Sequence, residues 1–264
     1  MRDLPVATQW MHGAAPPYAA QAIDAAAMVV VNDTGSKGTG WLVAHRMLMT
    51  NEHVIRGGSP HEIVAHFSDG SALGVASLVA KDAVLDLAVL ELQRAPSATP
   101  LKLDATALSV GMKVYTLGFP LAYNGPAPLM IVGYVAGFEA RSEPAGEAPQ
   151  QRIVLNAALN PGNSGGPVLR WGDSCVAGVV VSKHAPISPS LQNAIDALAA
   201  NRSGVVFTAI DAQGNTRRFV ESQLVADILK YFRSMTQVVI GEAIPIADVR
   251  SFLTSHSVQW VSAP

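Results

Sequence analysis

Ser164 stands inside the ten residues Asn160-Pro-Gly-Asn-Ser-Gly-Gly-Pro-Val-Leu169, a glycine-rich turn that runs straight into an apolar strand. A serine hydroxyl is a weak nucleophile at neutral pH. It needs a base to take its proton and donors to hold the charge that develops on an attacked carbonyl oxygen. Gly162, Gly165 and Gly166 allow backbone angles that a side chain forbids, so the amides of Gly162 and Ser164 can be aimed at one point. The same residue types also make an ordinary tight turn. The ten residues alone therefore leave catalysis and plain structure equally open.

Two further segments supply the missing groups. Gly38-Thr-Gly-Trp-Leu-Val-Ala-His-Arg-Met-Leu-Met-Thr-Asn-Glu-His-Val-Ile55 reads as strand, short turn and strand, with His53 just beyond the second strand. Asp82-Ala-Val-Leu-Asp-Leu-Ala-Val-Leu-Glu-Leu92 puts Asp86 at the head of a strongly apolar run. A carboxylate there is costly to bury without a partner, and a histidine that must be held in one tautomer is such a partner.

Thr50-Asn-Glu-His-Val54, Asp86-Leu-Ala-Val-Leu90 and Gly162-Asn-Ser-Gly-Gly-Pro167 resemble the motifs of trypsin-like serine proteases, in the His, Asp, Ser order of the chymotrypsin clan. Within that clan the wording is similar to the HtrA (DegP-like) branch of bacterial peptidases, including Ala243-Ile-Pro-Ile246 before a closing helix. The likeness covers roughly residues 27–182 and 236–255. It implies a mostly β fold of two six-stranded antiparallel β-barrels of chymotrypsin type, with a few peripheral helices. It also implies roles: Ser164 as nucleophile, His53 as general base and then acid, Asp86 as the group that orients the imidazole, and the amides of Gly162 and Ser164 as oxyanion hole. Digestive trypsins carry an aspartate before the nucleophile that pairs with a new N-terminus after zymogen cleavage. Asn163 stands there in this chain, so activation by that route is not expected. The competing reading is a non-catalytic peptide-binding or scaffold module of the same fold. Retention of both serine and histidine in well-kept motifs speaks against it.

Composition limits the alternatives. With 264 residues, 49% hydrophobic and 14% charged, the chain suits one well-cored peptidase domain spanning residues 1–264. A formal net charge of −2 argues against nucleic acid as a partner, and no apolar run is long enough to span a bilayer. Met1-Arg-Asp-Leu-Pro5 lacks the basic region and apolar core of a signal peptide, so a soluble, cytoplasmic protein is expected. The single Cys175 closes no internal bridge, which agrees with that compartment. Its apolar flank, Val176-Ala-Gly-Val-Val-Val181, reads it as a small buried filler. No cysteine, histidine and carboxylate grouping has metal-ligand spacing, and no metal or cofactor is expected.

The elements that must position these groups follow from alternation and turn residues. A short leading helix is predicted over Pro17–Ala27. The first barrel then spans about 27–92, with strands at Met28–Val31, Gly40–Ala44, Met47–Thr50, Glu62–Phe67, Ala72–Ala80 and Leu85–Leu92. A linker rich in proline, alanine and threonine runs over about 93–110. The second barrel takes about 111–182 and 236–245, and the closing helix about 246–255. By resemblance, the walls of the pocket for the side chain before the scissile bond are Ala158, Leu159, Val180, Val181 and Ser182. These are apolar apart from one serine and imply preference for small or aliphatic side chains; Lys183 and His184 offer the weaker alternative of an acidic preference.

Between Ser182 and Gln237 the family has a short loop and this chain has a long insertion, about 183–235. Pro189–Ala200 reads as an amphipathic helix, Gly204–Ile210 as a strand and Arg217–Met235 as a second helix, with Phe219, Val220, Leu224, Ile228, Leu229, Phe232 and Met235 at near-helical spacing. A packed peripheral helix is the plain interpretation. A docking face for a regulatory partner over 183–236 is the sharper one. Only His256–Pro264 follow the closing helix, too few for the PDZ domain usual in this branch. The expected partners are thus a protein or peptide substrate and a regulator.

Overall fold

The computed structural model describes residues 4–104, 106–141, 149–183, 189–210, 216–235 and 240–263. They form two compact units, Met1–His184 with Val239–Pro264, and Ala185–Val238.

In the larger unit the chain begins with α1 (Val6–Ala14) and α2 (Ala20–Ala25), separated by a single 3-10 turn at Pro17–Ala19. Six strands follow: β1 (Ala26–Val31), β2 (Ser36–Ala44), β3 (Met47–Thr50), β4 (Ile63–Phe67), β5 (Ala72–Asp82) and β6 (Leu87–Leu92), with the one-turn helix α3 (Glu52–Ile55) after β3. They close into an antiparallel barrel in the order β1-β2-β3-β6-β5-β4. β4 has the period of two that a barrel wall demands: Ile63, Ala65 and Phe67 are buried, Val64 and His66 half-buried.

A linker bearing β7 (Lys102–Leu103) leads to β8 (Lys113–Gly118), β9 (Leu129–Arg141), β10 (Gln150–Asn156), β11 (Pro167–Arg170) and β12 (Val176–Lys183). The chain then forms the smaller unit from α4 (Pro189–Ala200), β13 (Val206–Ile210), β14 (Thr216–Val220) and α5 (Glu221–Met235). It returns as β15 (Gly241–Pro245), α6 (Ile246–Ser255) and β16 (Val261–Ser262). The order β11-β8-β9-β10-β15-β12, with β12 also paired to β11, closes a second six-stranded antiparallel barrel. β7 and β16 extend it in parallel. Closure satisfies the ladder of every barrel strand without an open edge. Each barrel has an apolar interior, with Trp41, Leu48, Leu87 and Leu90 in the first and Val114, Ile153, Leu155 and Val168 in the second. The two-barrel, mostly β architecture is the one that the motifs implied.

Local departures have local causes. The predicted helix over 17–27 stops at Ala25, because Ala26 and Ala27 pair with Trp41 and Gly40 in the barrel wall, and sheet pairing overrides alanine's helix propensity. The helix α1 was not predicted. Phe219 and Val220, read as helical, belong to β14, where they face Phe207 and Val206 of β13; the helix starts only at Glu221.

Candidate active site

The first barrel supplies two groups. β3 ends at Thr50, and α3 turns His53 back toward the residues that precede β6. His53 Nδ1 lies 2.7 Å from Asp86 Oδ2, and the His53 backbone N–H donates to Asp86 Oδ1 at 2.9 Å. Both carboxylate oxygens thus serve one residue. That makes Nδ1 the donor and leaves Nε2 as the basic nitrogen. Asp86 is 8% exposed and has φ of +64°, a left-handed conformation that costs a non-glycine residue about 1 kcal/mol or more. Hydrogen bonds hold it there: Asn51 Nδ2 donates to the Asp86 carbonyl at 2.8 Å, and Asp82 Oδ1 accepts from the amides of Val84 and Leu85 in the preceding turn.

The second barrel supplies Ser164, 9% exposed, on the turn between β10 and β11. The turn is tied to both barrels. Thr39 of β2 donates its Oγ1–H to the Gly162 carbonyl at 2.6 Å and its N–H to the Ser164 carbonyl at 2.8 Å, while Gly165 N–H donates to the Val180 carbonyl of β12. Gly162 has φ of +98°, and a Cβ there would lie 2.4 Å from the Phe119 carbonyl oxygen, so only glycine fits. Among the described residues the amides of Gly162 and Ser164 have no acceptor, and no hydrogen bond joins Ser164 to His53. Asn163 is 1% exposed, and among the described residues neither side-chain polar atom has a partner.

The residues assigned to the substrate pocket divide. Leu159 and Val180 pack in the interior of the second barrel, Val181 joins the other apolar cluster and Ala158 is half-buried. The side chains of Ser182 and Lys183, and all of His184, lie outside the described residues. Cys175 precedes β12 and is half-buried rather than enclosed; burial pushes its thiol pKa up, which keeps it a poor nucleophile. Sequence reasoning quoted Thr39 and Asn51 within motifs but gave them no role, because their work depends on carbonyls that only the fold brings near.

The family profile described as trypsin-like peptidase domain matches residues 38–179, more than half of the chain, and spans His53, Asp86 and Ser164. The chain belongs to the trypsin-like peptidase family. Among its relatives, the serine protease Do-like HtrA of Bacillus subtilis (strain 168) is 33% identical over 136 residues, 50% of this chain and 29% of that protein. Protease Do-like 1, chloroplastic, of Arabidopsis thaliana is 29% identical over 199 residues, 74% of this chain and 39% of that protein. The HtrA-like resemblance carried by the three motifs is thereby supported, and the chain spans less than half the length of these relatives. Crystal structures of the Rv3671c protease from M. tuberculosis share the family's fold with this chain. The inactive form matches with a TM-score of 0.62 at 17% identity, covering 92% of this chain and 93% of that one. The active form gives 0.62 at 18% identity, covering 94% and 87%. Among the described residues no three His, Cys, Asp or Glu side chains gather as a metal site, and no helix is long and apolar enough to cross a membrane.

Proposed function

We propose that this domain is a serine endopeptidase that works through an acyl-enzyme. His53 Nε2 takes the Ser164 proton as Oγ attacks the carbonyl carbon of the scissile bond. The amides of Gly162 and Ser164 receive the oxyanion, a contribution worth about 10²–10³ in kcat per donor. Asp86 stabilises the imidazolium, which then protonates the leaving amine. Water, deprotonated by the same nitrogen, releases the acyl group. The observation that carries this reading is the His53–Asp86 pair, bonded through both carboxylate oxygens, beside a serine turn whose two amides lack acceptors. The absent Ser164–His53 bond fits an unliganded site, where such bonds are often long until substrate arrives.

Small or aliphatic side chains before the scissile bond suit the apolar types of Ala158, Leu159, Val180 and Val181. Regulation through the 183–236 insertion by a protein partner or ligand completes the proposal, as does a cytoplasmic site of action with neither nucleic acid nor membrane as partner. The apolar residues left exposed on α5 and β13 favour such docking.

Fluorophosphonate labelling read by intact mass tests the chemistry. One adduct on the native chain and none on Ser164→Ala is the expected result. An adduct of equal yield on Ser164→Ala, or no adduct on the native chain either intact or with the insertion excised, sinks the reading.

A further inference from the structure

The second barrel also reaches the first through a buried cation. Arg152 sits in β10 with 1% exposure, the only charged side chain among the largest fully buried ones of the described residues. Its Nη2 donates to the Leu85 carbonyl at 3.2 Å and to Gln150 Oε1 at 3.0 Å. Leu85 is the residue immediately before Asp86. Among the described residues Arg152 Nε and Nη1 are buried with no hydrogen-bond partner. A guanidinium with two orphaned donors is a poor device for stability, and replacing such a buried charge by a well-packed apolar group is often neutral or stabilising. Its retention calls for another reason.

We propose that Arg152 is a positioning residue for the His53–Asp86 pair, holding the left-handed Asp86 in place from the second barrel; this rests on the peptidase reading above. Asp86 is bracketed: Arg152 takes the carbonyl before it, and Asn51 takes its own carbonyl. Asn51 belongs to the first barrel, so Arg152 makes alignment of the pair depend on how the two barrels dock. The charges around the guanidinium agree with that place. Burial, and then Arg141 of β9, lower its pKa from the usual arginine value, while Asp248 of α6, Asp86 and Glu242 of β15 act the other way. It remains a cation in all of these settings. Arg56, bound to Glu52, is a further cation that feels the charge of Asp86.

The test compares Arg152→Met and Arg152→Lys with the native chain. Arg152→Met is expected to keep or raise Tm and to leave KM within twofold, while kcat falls about ten- to a hundredfold, the usual cost of a small misplacement at a distance. Arg152→Lys does not restore kcat, since an ammonium lacks the planar fork that reaches the Leu85 carbonyl. In a Ser164→Ala background, proton NMR of the low-field Nδ1–H of His53 is expected to shift or broaden with Arg152→Met. That readout needs no turnover, so a chain that fails to label or cleave would end the peptidase reading while the resonance still decides the role of Arg152. An unchanged resonance overturns the inference, as does a loss of kcat that only follows a fall in Tm.

Discussion

The barrel unit and the 185–238 unit carry comparable hydrophobic patterning and use it differently. In the barrels, Leu48, Leu87 and Leu90 have no exposure, because closure gives each strand an inside. In the smaller unit the described side chains include only two buried apolar ones, Ile195 and Ala226, and every residue of β13 is exposed. Amphipathic periodicity establishes a helix, but an interior requires something for its apolar face to meet. A two-stranded hairpin such as β13–β14 is marginal by itself. The difference teaches that the order of the site comes from the barrels, and that the smaller unit should open at lower free energy.

The largest effects should fall wholly on the barrel side. Ser164→Ala and Asp86→Asn are each expected to lower kcat by about 10⁴ or more, the second with the fold intact, since the wrong tautomer of His53 is then favoured. Steady-state rates on a peptide ester check this. A fall below tenfold for either variant would remove the site from the barrels.

Next comes stability. Leu90→Ala should cost about 2–5 kcal/mol, the usual range for emptying a closed core. Phe232→Ala, 63% exposed on α5, should cost about 0.5 kcal/mol or less. Denaturant titration of both variants, at matched m-values, is decisive; equal losses would erase the contrast between the units. A milder change is excision of the smaller unit. β12 and β15 are antiparallel neighbours, with Lys183 opposite Gly241, so the inserted chain leaves and returns where a short hairpin turn can join the strands. Replacing 185–238 by a short turn is expected to shift the main Tm by about 2 °C or less, and a collapse of the barrels would show that the insertion supports them.

Much of this was legible in the sequence because barrels advertise themselves. Alternating apolar residues and turn glycines mark the six strands of the first barrel to within a few residues, and α6 begins at Ile246, as Pro245 suggests. Three short motifs were enough to bring His53, Asp86 and Ser164 into view. What escaped has a common physical origin: it depends on partners far away in the chain. Ala26 and Ala27 look helical until β2 claims them. Phe219 and Val220 fit a helical stripe until β13 pairs with them. Arg152 looks like a surface residue in Gln-Gln-Arg-Ile-Val-Leu until the Leu85 carbonyl, 67 residues earlier, is laid against it. Leu159 and Val180, pocket walls by resemblance, pack in the interior of the second barrel, and position in a motif does not say which face of a barrel a side chain takes.

The smallest effect separates the two units by pH. His66 on β4 is half-buried, and burial lowers its pKa from the usual 6.5. Between 6.5 and that lower value the unfolded chain binds a proton that the folded one refuses. Stability therefore rises with pH through this window and falls on acidification, by at most about 1.4 kcal/mol per pH unit for one group. The smaller unit, Ala185–Val238, contains no histidine, so nothing in it titrates there with an ordinary pKa. Denaturation of the barrels at pH 7 and pH 5.5 should accordingly show a loss that His66→Gln reduces, while amide exchange in α4 and α5, corrected for intrinsic rate, stays level. A pH-dependent opening of α4 and α5 matching that of the barrels would mean that the two units unfold as one.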